Sequence, residues 1–481
     1  MRFSHVAAAA ICASGLFAAA QAQASVAISA DPTQNMSCLA NVCTPTAADA
    51  VLNAGDLAAM LASGNTVVAT TGTGVEAGDL RVTAPFSWTA ATLLTLVVHR
   101  ATVFAGAVNV EGNGGVAIMT GTRQGVAALS FTPGSSLSFS GLSSVLVIND
   151  TRYKLEKSIK SLARDVVAHP NRAFALTGDL DAHRESVYPS SPVAIAFSGK
   201  FTGLGHTISG LRIADMASAS VGLFATVLAH GAVANIGIEK SVVAGAQTVG
   251  GLVGFNGGTV SNAFTAGTVR AVGTGSSGQI FAAGGLVGHN SGRVLNCRSE
   301  ARVLGASATG GLVGMNDGGT IQRSFATGSI TGLDEIGGLA GSNSGQDIRV
   351  SGSIVDSYAM GKVKSKGSAQ TAAGGLVGYN PGVGDAFSTI ATSYSTGEVG
   401  PPQPIAGGFI GAERGVATNS YWDTTASGTS QAVGDGDATG ITGLTTAQFL
   451  SGLPAGFDPA VWSRSPSVNA GYPYLLDNPP Q

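Results

Sequence analysis

Between residues 250 and 425 the apolar positions recur at fixed offsets. Val260, Val294, Ile321, Ile354 and Ile390 are each followed three residues later by a small residue (Ala263, Cys297, Ser324, Ser357, Ser393). Four residues on stands Phe264, Arg298, Phe325, Tyr358 or Tyr394, and seven on stands Gly267, Ala301, Gly328, Gly361 or Gly397. Nine on comes another apolar residue, Val269, Val303, Ile330, Val363 or Val399. A sixth, degenerate copy runs through Ala417, Ser420 and Tyr421. Ahead of these blocks one phrase returns: GGLVGFN at 250–256, GGLVGHN at 284–290, GGLVGMN at 310–316, GGLAGSN at 337–343, GGLVGYN at 374–380 and GGFIGAE at 407–413. The core positions are β-branched or aromatic, glycine punctuates every few residues, and no sustained 3.6-residue period appears. The pattern therefore predicts short strands and tight turns.

The copies are 34, 27, 33, 36 and 27 residues apart, counted from Val260 through Val294, Ile321, Ile354 and Ile390 to Ala417. This reads as a unit of 27 with insertions in the polar or Gly/Ser/Ala-rich stretches 274–278, 346–352 and 364–372. Self-similarity at such a period signals a solenoid, with insertions falling on surface loops. Three strands of about 5 residues and three turns would fill one coil. The fold class expected is all-β, a right-handed parallel β-helix with short capping or flanking helices. Stacked coils place like on like. Leu252, Leu286, Leu312, Leu339 and Leu376 should form a buried column. Asn256, Asn290, Asn316, Asn343 and Asn380 should form another at a turn, where asparagine tolerates left-handed backbone and its amide bonds to copies above and below. Phe264, Phe325, Tyr358 and Tyr394 should stack, with Arg298 interrupting.

Upstream the pattern is looser. Residues 56–63 (DLAAMLAS) predict a short helix ended by Gly64, and 67–71 a strand. Alternating apolar stretches at 80–82, 93–98, 116–119, 137–139 and 145–148 predict further strands. Residues 154–167 predict an amphipathic helix: Leu155, Ile159, Leu162 and Val166 fall on one face, while Lys154, Lys157, Lys160 and Arg164 face water. Residues 173–181 read as the strand that re-enters the coil, and 445–453 as a short helix. The organisation expected is 1–24 signal peptide, 25–150 N-terminal β-rich region, 151–213 connecting segment, 214–425 repeat β-helix and 426–481 C-terminal cap.

Composition narrows the class. Of 481 residues 11% are charged and 44% apolar, with net charge −3, which excludes a disordered chain and argues against a nucleic-acid or anionic-membrane footprint. The start reads as a cleavable secretory signal: Arg2 and His5, an apolar core at 6–20, and Ala22-Gln23-Ala24 as the cleavage site. The apolar run is too short for an anchor, and no later segment could span a bilayer. Cys12 leaves with the signal. Cys38 and Cys43 lie five apart in an exported chain and could close a small disulfide loop. Cys297 occupies the small-residue column as a core filler.

GGLVGxN followed by a strand such as Ser324-Phe325-Ala326-Thr327-Gly328-Ser329-Ile330 resembles the GLUG-motif repeat of bacterial surface and secreted proteins. Residues 201–213 resemble the segment that opens such arrays. Tyr421-Trp422-Asp423 with 440–449, Trp462 and Tyr472-Pro473-Tyr474-Leu475 resembles the segment that closes them. The family occurs in filamentous-haemagglutinin-like adhesins and other large exoproteins, so the resemblance implies a surface or extracellular role. More weakly, 80–106 resembles haemagglutinin-like domains that begin a β-helix, without their Asn-Pro-Asn-Gly signature.

β-Helices also carry polysaccharide lyases and hydrolases, which need paired carboxylates or a carboxylate with Arg or Lys on adjacent coils. The carboxylates here (Asp317, Asp334, Glu335, Asp347, Asp356, Asp385, Glu398, Glu413) recur in no shared column. His206 reads as structural at a turn, and His169, His183, His230 and His289 are dispersed. Asp435-Gly436-Asp437 reads as a loop. The sequence thus assigns no catalytic, cofactor-binding or metal-ligating residue. It predicts a non-enzymatic, adhesin-like exported binding protein, with a polysaccharide-active enzyme or a surface-layer or matrix component as alternatives. The expected partners are a host or neighbouring-cell glycan or protein and an outer-membrane secretion partner. No cofactor and no nucleic acid is expected.

Overall fold

The computed structural model describes residues 25–480 apart from 124–125, 274–280, 306, 346–349, 368–370, 384–385 and 401–404. The expected signal with Cys12, the insertion at 274–278, part of the other two insertions, and Asp347 and Asp385 lie outside the described residues. The chain is a parallel β-helix wound as two stacks that share one sheet.

The first stack is three-sided. Asp79–Val82, Phe86–Trp88 and Leu93–Val97 make one coil, and Thr102–Phe104, Val108–Val110 and Gly115–Met119 lie on it in parallel register. Leu129–Phe131, Leu137–Phe139 and Val145–Ile148 follow. Alternate residues point inward, so Leu80, Val82, Phe86, Trp88, Leu94 and Leu96 are buried while Arg81 and Val97 face out. The first helix, α1 (Ala54–Ser63), is capped by Asn53 and buries Leu57 and Leu61 against this core. Cys38 and Cys43 are bridged across an antiparallel hairpin, Met36–Leu39 with Val42–Pro45, which covers the free edge of the shared sheet.

Within the coils the shared sheet reverses at Thr151–Glu156, pairing antiparallel with Val145–Ile148 before parallel pairing resumes at Ala173–Leu176. The helix expected over 154–167 is therefore shorter: α2 runs Ile159–Ala168 from a Ser158 cap and buries Ile159, Leu162 and Val166, with Lys154 and Leu155 left in the strand. Coiling is already under way at Ala173–Leu176 and Lys200–Thr202, within the segment read as a connector.

The repeat stack has four faces, not three. In one coil these are Thr320–Gln322, then Phe325–Ala326 with Ile330–Gly332, then Glu335–Gly337, then Ala340–Ser344. The extra corner is made by the Gly-Gly pair. A Cβ at Gly284 or Gly310 would sit 1.9 Å from the carbonyl oxygen of Val287 or Val313, three residues on. The bend is too tight for any side chain, so the phrase reads as a corner between two short strands. The predicted register holds: Val260, Val294, Ile321, Ile354, Ile390 and Ala417 pair in order. All five leucines of the GGL column are 0% exposed, each worth at most about 1.5–3 kcal/mol of apolar burial.

The asparagine column bonds as expected but not at a left-handed turn. Asn256, Asn290 and Asn380 end strands, Asn316 and Asn343 stand one residue before the end, and all five are fully buried. Each Nδ2 donates to the next Oδ1 at 2.7–2.8 Å, and Asn380 donates to Glu413 Oε1 at 2.8 Å. The left-handed corner lies two residues after the Val/Ile column, at Asn262, Asn296, Arg323, Asp356, Thr392 and Asn419, with φ of 45–52°.

The expected cap at 426–481 divides in two. Val433–Gly436 and Ile441–Leu444 continue the coil in parallel. From α3 (Thr446–Phe449) the chain turns back along the outside of the aromatic face. Phe449, Phe457, Trp462, Tyr472 and Leu475 bury the stack of Phe325, Tyr358, Tyr394 and Tyr421. That stack is as predicted, with Phe325–Tyr358 and Tyr358–Tyr394 centroids 4.7 and 4.9 Å apart and the ring planes nearly parallel. Tyr394 donates its hydroxyl to Pro473 O at 2.6 Å.

Candidate functional site

The returning tail ends where the two stacks meet. Its Asn478 side chain donates to Cys297 O (3.1 Å) and Arg323 O (3.2 Å). There the outward column Arg81, Val103 and Ser130 of the first stack faces the left-handed corners of the repeats. The stacks are joined directly by Asn262 Nδ2 to Leu129 O (3.2 Å), Leu137 N to Leu204 O (3.0 Å) and Phe139 N to Thr177 O (2.9 Å). Between these joints lie two adjoining cavities of about 600 and about 610 Å³, whose walls share Phe131, Thr132, Pro133, Asn262 and Arg298.

Arg298 is the unusual group. It occupies the aromatic column, with its guanidinium 4.2 Å from the Phe264 ring centroid and Phe325 next in register. The residue is 8% exposed. Its Nε and one terminal nitrogen have no hydrogen-bond partner, and Glu300 forms only a long ion pair with Nε, at 3.8 Å. Burial lowers the affinity of this guanidinium for its proton. The first cavity is also lined by Arg81, Arg100 and Arg323, against Asp79 and Asp477. Both aspartates are engaged: Arg100 is 3.4 Å from Asp79, and Arg323 is 3.5 Å from Asp477. Phe131 stacks on Phe104 (4.9 Å) and gives the cleft an apolar wall.

The groups weighed from sequence lie elsewhere or serve structure. His206 is buried between Leu137 O (3.0 Å) and Asp179 (3.3 Å), clamping one stack to the other. Its hydrogen bond, with that of Thr207 N–H, holds the Asp179 carboxyl below the usual range, against burial. Asp435 pairs with Arg414, and Asp437 binds the amide and hydroxyl of Thr439, a local turn. Lys154 and Arg164 both reach Asp165. Cys297 is a buried filler whose thiol is pushed up to about 12 by burial. Among the described residues no three His, Cys, Asp or Glu side chains are grouped to hold a metal. The cleft arginines were not singled out from sequence. One signal was present, the arginine that breaks an otherwise aromatic column.

Comparison with known proteins is sparse. No family model matches the chain. Halomucin of Haloquadratum walsbyi (strain DSM 16790 / HBSQ001) is 29% identical over 239 residues, covering 42% of this chain and 3% of halomucin. The chain thus spans only a small fraction of that relative. A Bacteroides ovatus crystal structure, provisionally assigned as an immunoglobulin A1 protease, aligns with TM-score 0.42 and 18% identity over 68% of this chain and 93% of that one. A likeness at that score carries no inference about activity. Among the described residues no helix is long and apolar enough to cross a membrane.

Proposed function

We propose that the protein is an exported, adhesin-like binding protein of the GLUG-repeat type, using its β-helix as a stiff scaffold for ligand contact at the cell surface or in the medium. One observation carries the reading. The first chamber of the cleft is walled by arginines, and its two aspartates are already paired, while the second chamber holds Asp179, bound by His206, and Glu239, which faces no acid of raised pKa among the described residues. Glycoside or uronide cleavage would need a free carboxylate base and a carboxylic acid with raised pKa across the scissile bond. Asp179 in the second cavity is shifted the opposite way. Similarity to halomucin over 42% of the chain supports a secreted or surface setting. Buried aromatics bear on the mode of binding: the ring column that would suit stacking on sugars is covered by residues 449–475, so contact falls to the cleft and the exposed corners.

The test is a glycan-array and whole-cell binding screen with the purified protein, with product analysis of every polysaccharide hit. Saturable binding without new reducing ends or unsaturated products is expected. Cleavage of a bound polysaccharide would overturn the reading in favour of an enzyme. Assembly into sheets or fibrils without ligand binding would overturn it in favour of a structural component.

A further inference from the structure

We propose that the cleft at Arg298 binds an acidic sugar, a pyranose bearing a carboxylate or a sulfate, with the Arg298 guanidinium as the buried anchor of the anionic group. This rests on the binding-protein reading above and names its ligand class.

The argument begins with the cost of Arg298. Its column is otherwise Phe264, Phe325, Tyr358, Tyr394 and Tyr421, and a phenyl ring would continue that stack. A guanidinium there gives up hydration; the Phe264 ring face and a long ion pair with Glu300 return part of that, but two of its nitrogens have no hydrogen bond. Such a group is a poor device for stability and a good one for recognition. Its planar fork matches a carboxylate or sulfate through two parallel N–H···O bonds, and exclusion of water strengthens them.

The surroundings agree in sign, size and chemistry. In the first cavity four arginines face two aspartates, while the second is lined by Asp179 and Glu239, and Glu300 and Asp356 stand 3.8 and 3.9 Å from Arg298 and Arg323, so the positive character is confined to the first chamber. Each chamber, at about 600 Å³, is within the range of small-ligand sites, and Arg298 stands on the wall common to both. An oligosaccharide lying across that wall would set its acidic substituent on Arg298. Phe131 and Pro133 would meet ring faces, and Thr132 and Asn262 would meet hydroxyls. Rigid stacks form two walls, so the site is preorganised.

The experiment measures binding of three oligosaccharides to the whole protein by calorimetry: a galacturonate hexamer, a sulfated galactan hexamer and the neutral galactan hexamer. Wild type, Arg298→Gln and Arg298→Phe are compared. Arg298→Phe restores an uninterrupted ring column, so it is expected to fold with an unchanged or higher Tm. At least one acidic hexamer should bind wild type, more weakly as salt rises, and about tenfold or more weakly to either variant, as loss of a charge-assisted pair demands. Which hexamer binds tells carboxylate from sulfate. The proposal is overturned if the folded Arg298→Phe protein keeps wild-type affinity, or if the neutral hexamer binds as well as the acidic ones. Cell or glycan binding indifferent to acidic groups would end this assignment and leave the binding-protein reading intact. Absence of any cell or glycan binding would end both.

Discussion

The first stack, residues 79–148, and the repeat stack that follows are both coils of short parallel strands on a shared sheet, yet only one advertises itself in sequence. The first fills its core with Phe86, Trp88, Phe104, Phe139 and leucines. Nothing in it requires the same letter in successive coils, since any inward apolar residue of suitable size will pack. The repeat stack makes two demands of another kind. Its Gly-Gly corner admits no side chain, and its buried asparagine is fully satisfied only when a like residue one coil away completes the bonds it makes within its own coil. A core tolerates substitution, whereas a steric exclusion and a self-complementary hydrogen bond do not. The repetition of letters records those two demands more than it records the fold.

The comparison breaks most sharply at the corner. Gly310→Ala would place a methyl carbon 1.9 Å from Val313 O, against backbone that cannot yield. It should cost roughly 4 kcal/mol or more. Amide hydrogen exchange should show the coils at 308–344 losing protection while residues 79–148 keep theirs. Equal loss in both would mean the stacks unfold as one unit. Trp462→Ala comes next. Trp462 lies within 6.0 Å of Tyr358 and Tyr394 and within 4.6 Å of Phe457, and its loss should cost about 3–5 kcal/mol of tail docking. Limited proteolysis should then release the segment after 446 while both stacks resist cleavage.

How much could be read beforehand follows the same division. The register of Val260 to Ile390, the leucine column and the stacked rings were legible because each is a repeated residue in a repeated place. The strands Leu137–Phe139 and Val145–Ile148 were legible from alternation alone. Four faces in place of three were not, because Gly-Gly was taken as ordinary punctuation. The left-handed corner escaped because its occupants, Asn262, Arg323, Asp356 and Thr392, share a backbone angle and no side-chain chemistry. The path of the tail escaped because large apolar residues at 449–475 announce burial but not their partner. The cleft depends on two stacks and the tail meeting in space, and no periodicity encodes that.

Two smaller effects sharpen the contrast. Asn316→Ala leaves the Asn343 carbonyl without a donor and the Asn290 amide with only its bond to Gly292 O, at a cost of about 1–3 kcal/mol. Urea denaturation of the variant should show that loss in the transition reporting on the repeat coils. Among the described residues of the first stack no side-chain ladder of this kind stands to be broken. The smallest concerns Glu413. Burial pushes its carboxyl up to about 7 from 4.5, against the pull of Asn380 and Gly415. The neutral acid therefore fits the fold better. Its stabilisation is complete below pH 4.5 and is lost as pH rises through about 7. Glu413→Gln should match wild type at pH 4 and exceed its Tm at pH 8 by about 1–3 °C. An equal gain at both pH values would show that ionisation is not the cause.

The ladder from Asn256 to Asn380 points one way, each amide donating toward the C-terminus, and it ends on Glu413, whose carboxyl oxygens accept from Asn380. Such a chain of bonds has a start and a stop but no fixed length. A coil duplicated or deleted anywhere within it brings or removes its own asparagine, and the remaining members close over the join with every donor still matched. The coil that carries Glu413 is the exception: moved inward, it offers the next asparagine no amide in return. As far as the ladder is concerned, unequal recombination among the repeats can therefore lengthen or shorten the stack by whole coils provided the Glu413 coil stays at its end; the tail, which reaches back to Cys297 and Arg323, limits which coils can be exchanged.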